Sequence, residues 1–297
     1  LAGRQWLEEG VLERRHRPAL FVYRQSFELP DDHGRTWQRL GLIAAVAVRP
    51  FGPSRDGLGG IYPHEQTFDA PKEDRLKLMR ATRAQLSPIF GLYSDPAGEI
   101  RELIGAFTAG DPDFFGTTAA DGVLHEVRAM VDEAQIDRLS NILSAKDIFI
   151  ADGHHRYETA CNYRQQQLDS HQLTPQDPVN FVLTMCVSMH DAGMIVLPTH
   201  RLFRGFAPLS SQQLGEILQD TFQCQVIGQG PSQANQVWEI IDQAAEQGQL
   251  GFYCPVDQTW VLASIHDGGR QQMAAVAADQ TKDWQGLGVS ILHRLVI

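Results

Sequence analysis

The run IFIADGHHRYETA at residues 148–160 constrains this chain more than any other stretch. Ile148, Phe149, Ile150 and Ala151 have strand character and lead straight into Asp152-Gly153. Beyond the glycine, Tyr157, Ala160, Cys161, Arg164 and Leu168 recur at the spacing of one helix face, so the run reads as strand, tight turn, helix. Such a turn leaves the first backbone N–H groups of the helix without intrahelical partners, and the helix dipole adds partial positive charge at the same point. His154, His155 and Arg156 at that position make an anion-binding helix start, and Asp152 supplies a carboxylate able to hold a metal ion or take a proton. The plainer alternative is a helix capped by Asp152, with the two histidines and the arginine forming its solvated first turn.

Composition narrows the function classes. The chain has 297 residues, 43% hydrophobic, which is enough apolar material for the core of one large domain or two. A net charge of −11 argues against a protein whose main task is gripping nucleic-acid phosphates. Its one dense basic run, Arg14-Arg15-His16-Arg17, reads as a solvated turn. Cys161, Cys186, Cys224 and Cys254 are scattered without a CxxC pair, so reduced thiols and a cytoplasmic setting are expected. No apolar run is long enough to span a bilayer and no signal peptide is evident, so no membrane partner is expected. The chain opens on Leu1 and stops inside the apolar run 291–297, which reads as a fragment trimmed at one or both ends.

Taken in order, residues 4–15 pattern as a short amphipathic helix on Trp6, Leu7 and Leu12. Residues 19–28 and 39–49 read as strands, paired through the turn chemistry at 30–34, the second buried because its Val/Ala-rich run is too short for a surface helix. After a Gly/Pro-rich loop at 50–60 comes the second stretch of interest, residues 61–67. A charged helix over 72–86 follows, with Leu76, Met79 and Leu86 inward. Next come a strand at 87–94, a helix at 99–108, a strand at 123–130 and a helix at 132–143. Past the central run, a polar linker at 169–178 precedes a hairpin of strands at 179–189 and 194–197. Helices at 211–221 and 233–247, with strands at 224–227, 250–253 and 259–265, form a Gln-rich α+β unit, and an apolar helix lies within 279–297. The expectation is a mixed α+β / α/β chain: a core over 1–200, a smaller C-terminal α+β unit over 201–278, and a last helix at 279–297 packing back on the core.

Outside the central run, His64-Glu65 serves either as a general base or as a divalent-ion pair, with a capping arrangement or surface loop as the alternative. It is not a zinc-protease motif, because Phe68 stands where a second histidine is required. Asp74-Arg75 reads as a salt bridge on a helix face, His125 as a core or edge histidine, and Glu158 as a carboxylate favoured by the helix dipole. His200-Arg201 follows a strand and Pro198 and points toward a site at strand ends. There is no Cys/His quartet, Walker A loop, GxGxxG turn or GxSxG elbow.

The segment Asp152-Gly153-His154-His155-Arg156 resembles the signature of the domain-of-unknown-function family 1015. Further matching segments are His64-Glu65-Gln66-Thr67 with Pro71 to Arg75, Ser87-Pro88-Ile89-Phe90, Asp121-Gly122 with His125, and Leu197 to Arg201. They cover about residues 20–205 in order. Family members extend beyond both ends of this sequence. The motif core is also similar to that of the free-serine kinases of the ParB/sulfiredoxin superfamily, which implies a ParB/sulfiredoxin-like core. In that superfamily the turn at the helix start holds nucleotide phosphates. The resemblance therefore implies that Gly153, His154, His155 and Arg156 bind ATP or ADP, with Asp152 at Mg²⁺ or substrate and Glu65 as general base. Glu65, Asp152 and His154 become the catalytic candidates, with His64, Thr67, His200 and Arg201 toward the small-molecule substrate. The expected activity is nucleotide-dependent phosphoryl transfer to a small hydroxyl compound. Two alternatives stand beside it: a ParB-type nucleotide-sensing or partner-binding module without turnover, and a metal-dependent phosphoester hydrolase using His64, Glu65, Asp152 and His154. The oligomeric state is left open.

Overall fold

The strands within residues 20–29 and 32–47 lie inside the large sheet of the first unit, with Val22 and Leu42 turned into its core. The computed structural model describes residues 2–297 except 12, 30–31, 55–56, 66–68, 171, 198–199 and 245–246, and leaves out the side chains of 2–4, 32–33 and 69–71. The chain divides into two compact units, residues 1–198 and 199–297. The first begins with α1 (Ala2–Glu8), β1 (Leu20–Leu29), β2 (Asp32–Ala47), β3 (Ile61–Tyr62), α2 (Asp69–Thr82) and β4 (Ile89–Tyr93). It continues with α3 (Glu99–Ala106), β5 (Phe114–Thr117), β6 (Leu124–Met130), α4 (Glu133–Ser144), β7 (Ile148–Asp152), α5 (His154–Ser170) and β8 (Phe181–Ser188).

These strands form one mixed eight-stranded sheet in the order β3-β7-β4-β8-β2-β1-β6-β5. β1 and β2 pair antiparallel as expected, with Phe21 opposite Ile43 and Phe27 opposite Trp37. β8 joins β2 antiparallel and β4 joins β8 parallel. Ile100 and Ile104 of α3 and Leu139 and Leu143 of α4 bury in the same core as Val22, Leu42, Met130 and Ile150. α2 packs along α5, tied by Lys72 to Glu158 at 2.9 Å and by Arg80 to Gln166.

In the second unit are α6 (Ser211–Leu218), β9 (Phe222–Gln229), α7 (Ala234–Asp242), β10 (Gln249–Cys254), β11 (Thr259–Ile265), α8 (Asp267–Val276), α9 (Lys282–Gly286) and α10 (Gly288–Ile291). Its antiparallel sheet runs β10-β11-β9, and a Ser210–Gln213 capping box starts α6. The terminal residues belong to this unit: Ile291, Leu295 and Val296 join Leu214, Phe222 and Val261 in its core.

The expected mixed α+β class is observed, with corrections in detail. The N-terminal helix ends at Glu8, where Gly10 takes a left-handed turn. Residues 194–197 form no strand, although their apolar run suggested a hairpin. Leu86, expected inward, is exposed, because Arg83 leaves the helix at φ +52° and breaks the periodicity that would have buried it. β5 and α8 had no expectation in the sequence. Among the described residues no helix is long and apolar enough to cross a membrane.

Candidate functional site

At the end of β7 the chain turns through Gly153, whose φ of +97° is a conformation that side chains rarely adopt. A second constraint acts at the same residue. A Cβ there would lie 3.0 Å from Nε and Nη2 of Arg156, whose guanidinium covers the glycine. Arg156 Nη1 donates to Ser87 Oγ at 2.6 Å and to the Pro88 carbonyl at 2.5 Å, and Nη2 donates to Asp152 Oδ2 at 2.5 Å. β4 and β7 are antiparallel neighbours with Phe90 opposite Asp152, which brings Ser87 and Pro88 to this turn. Arg156 thus acts as a strut fastening three segments, and its charge is matched by Asp152, whose side chain stays 73% exposed.

β3 is only two residues long, yet it fixes where His64 and Glu65 go. It pairs parallel with β7, Ile61 opposite Ile148 and Tyr62 opposite Phe149, so both chains leave the sheet at the same edge. Gly59 permits the approach, since a Cβ there would lie 1.7 Å from the Lys146 carbonyl oxygen, and Asp147 Oδ1 accepts the Gly60 N–H at 2.7 Å. The result is a contact between His64-Glu65 and the first residue of α5. The His64 N–H donates to His154 Nε2 at 3.2 Å, and the two rings meet edge to face with centroids 4.5 Å apart. His154 is 1% exposed.

Proton positions follow from the partners. His64 Nδ1 lies 2.7 Å from the Ile150 carbonyl oxygen, which only accepts, so Nδ1 carries a proton and donates it there. His154 has the same tautomer: Nε2 accepts an amide N–H, so the proton of the neutral ring sits on Nδ1. Burial, then the neighbouring His64, push the His154 pKa below the ordinary imidazole value, which keeps the ring neutral. Its Nδ1 is 3.0 Å from Glu65 Oε1. The N–H is not aimed along that line, and among the described residues this buried nitrogen has no aligned hydrogen-bond partner.

His64, Glu65 and His154 offer ligand atoms within 4.8 Å of one another, close enough to share a divalent ion. The tautomers oppose a three-ligand cage. To ligate through Nδ1, His154 would have to move its proton to Nε2, where the His64 N–H already points. The trio is better described as a close polar cluster in which the His64 amide donates to His154 and the Glu65 carboxylate lies 3.0 Å from His154 Nδ1. Mg²⁺ prefers oxygen ligands and commonly takes one or two carboxylates plus nucleotide phosphates. Asp152 fits that pattern: Oδ2 is held by Arg156, while among the described residues nothing donates to Oδ1.

The structure therefore brings His64 and Glu65 to His154, and joins Asp152, Gly153 and Arg156 in the turn that precedes and opens α5. His155 lies in the first turn of α5 and is half-buried. Thr67 lies outside the described residues. His200 and Arg201 are exposed coil residues of the second unit. His125 is held between Tyr23 Oη at 2.5 Å and Thr118 Oγ1 at 2.6 Å. Sequence reasoning missed the Ile150 carbonyl that sets the His64 tautomer, and Ser87 and Pro88 as acceptors for Arg156. The recurrence of Ser87-Pro88 among the family-like segments was the one available signal for the latter pair.

In comparisons with known proteins, the family model described as "Protein of unknown function (DUF1015)" matches residues 2–290. No curated protein and no solved structure matches the chain.

Proposed function

The chain belongs to the DUF1015 family, and from the residues gathered at its Asp152–Arg156 turn we propose that it is an enzyme of nucleotide-dependent phosphoryl transfer to a small hydroxyl compound. The observation carrying this reading is the Glu65 carboxylate, held 3.0 Å from a buried, neutral His154 at the start of a 17-residue helix. Phosphoryl transfer chiefly requires positioning, charge neutralisation and a group to accept the hydroxyl proton. Glu65 is that acceptor, and the His154 N–H holds it in place as substrate tightens the cluster. The amides and dipole at the α5 start, with His155, hold phosphate oxygens. Arg156 keeps the turn in shape and sets the Asp152 carboxylate. Asp152 would hold a Mg²⁺ arriving with ATP or ADP, whose role is to neutralise phosphate charge. The kinship with ParB/sulfiredoxin proteins rests on the short Asp-Gly-His-His-Arg motif alone.

Calorimetry with ATP and ADP in the presence of Mg²⁺, followed by product detection over a panel of small alcohols, tests the reading. Glu65→Gln should keep nucleotide affinity and lose about 10²–10⁴ in turnover. No binding heat from either nucleotide defeats the reading. Binding without product over the whole panel favours a sensing module of ParB type instead. A metal-dependent phosphoester hydrolase is the second reading, favoured by the mutual closeness of His64, Glu65 and His154. It requires the His154 ring to give up the His64 amide, and metal analysis of the purified protein decides it.

A further inference from the structure

Away from the turn, a cleft of about 1090 Å³ opens between the 50–54 loop and the distal half of α5. His64, Glu65, Asp152 and His154 do not line it. Its volume is at the upper end for small-molecule pockets. Pro50, Phe51, Pro53, Leu168, Leu173 and Pro175 supply its apolar lining. The chain carries 36 acidic and 25 basic residues, yet the described residues lining the cleft include Arg164 and no carboxylate.

Arg164 is built into place. Its Nε donates to Asn180 Oδ1 at 2.9 Å, and Asn180 Nδ2 donates in turn to the Thr174 carbonyl at 2.8 Å. The Asn180 backbone is fixed too, its N–H on the Asp177 carbonyl and its carbonyl accepting the Val48 N–H at 2.8 Å. This brace is a neutral amide, and among the described residues Arg164 has no carboxylate partner. A half-buried guanidinium, oriented but not neutralised, beside aromatic and proline surfaces is what a charged group on an apolar body requires.

We propose that this cleft binds a small amphipathic anion, a carboxylate or phosphate carried on a planar apolar body. The anionic group sits on Arg164 and the body lies between Phe51 and Leu168. The proposal is independent of the chemistry assigned to the Asp152–Arg156 turn.

Calorimetry on the full chain tests it with three probes sharing one ring system: 2-naphthoate, 2-naphthyl phosphate and uncharged 2-naphthol. At least one anion should bind one-to-one about tenfold or more tightly than 2-naphthol, and the stronger of the two identifies the preferred group. Arg164→Gln should erase that advantage without weakening 2-naphthol. Leu168→Glu, at a position already 39% exposed and so compatible with folding, should erase it as well by placing a carboxylate in the cleft. If Arg164→Gln fails to fold, the Leu168→Glu result decides alone. Anions that bind no more tightly than 2-naphthol, or an advantage that survives in the folded variants, overturn the proposal.

Discussion

At the scale of single residues, His154 carries the most testable chemistry. The ring is buried, its Nε2 faces an amide proton, and both features penalise the charged form. Its folded-state pKa is therefore lowered, with burial the largest cause. In the unfolded chain the same imidazole takes its proton near its ordinary value of about 6.5. Below that pH the unfolded state binds more protons than the folded one, so stability falls as the pH is lowered. The contribution of His154 is thus complete above the unfolded pKa and is lost as pH drops toward and through the lower folded value. Urea unfolding from about pH 7.5 to about pH 5 should show that loss, and His154→Gln should flatten the curve in this window. An equal slope in the variant would assign the pH dependence to other groups. The turn from Asp152 to Arg156 was legible in the sequence because its chemistry is contiguous. The meeting of His64 with His154 was not, since it depends on β3, a two-residue strand with no periodicity to read. Arg156 shows a different limit: composition supplies a cation, but only the fold shows that Ser87, Pro88 and Asp152 already occupy it.

Among the elements, α3 shows how one side chain fixes a helix. Asp95 is 2% exposed and lies before the helix start. Its carboxylate accepts the N–H groups of Glu99, Ile100 and Arg101 at 3.2, 3.0 and 3.3 Å. Gly98, at the N-cap position, offers no side chain for the task. Asp95→Ala should therefore leave the buried Ile100 amide and its two part-buried neighbours without an acceptor and cost about 1–3 kcal/mol in chemical denaturation, with faster hydrogen exchange at Ile100 and Arg101. A loss below about 0.5 kcal/mol would mean that water replaces the carboxylate there. The same element marks what sequence pattern reads well. α3 and α4 have apolar residues at helical spacing, Ile100 with Ile104 and Leu139 with Leu143, and each was placed to within a residue or two. β5 is exposed on every residue and so has no inward side to alternate with. α8 begins Asp-Gly-Gly and is held by His266, whose Nδ1 accepts the N–H groups of Gly268 and Gly269, a cap that helix propensity does not anticipate. The Met194 to Leu197 segment errs the other way, since apolar residues alone do not supply a pairing partner.

For the whole molecule, the division into two units fixes which parts should lose structure together. Each unit has its own sheet and its own apolar core, and cores of this kind open as cooperative blocks. The thiols are placed to report on this. Cys161 and Cys186 lie in the first unit, Cys224 and Cys254 in the second, and all four are free. Burial pushes the thiol of Cys161 up to about 11 and that of Cys186 up to about 12, and it raises Cys224 and Cys254 as well. The reactive species is the thiolate, so native labelling by iodoacetamide near pH 8 should be slow at every site. Across a denaturant series, with each cysteine followed by mass spectrometry, Cys161 and Cys186 should gain label at one shared midpoint, and Cys224 and Cys254 at one shared midpoint of their own. The first pair is the stricter test. Cys186 is in the centre of the sheet on β8, while Cys161 is on α5, the helix that begins with His154. If Cys161 labels well before Cys186, α5 opens apart from the sheet, and the His64–Glu65–His154 cluster would then be assembled and taken apart by a local transition. A shared midpoint would make the cluster as durable as the core that supports it.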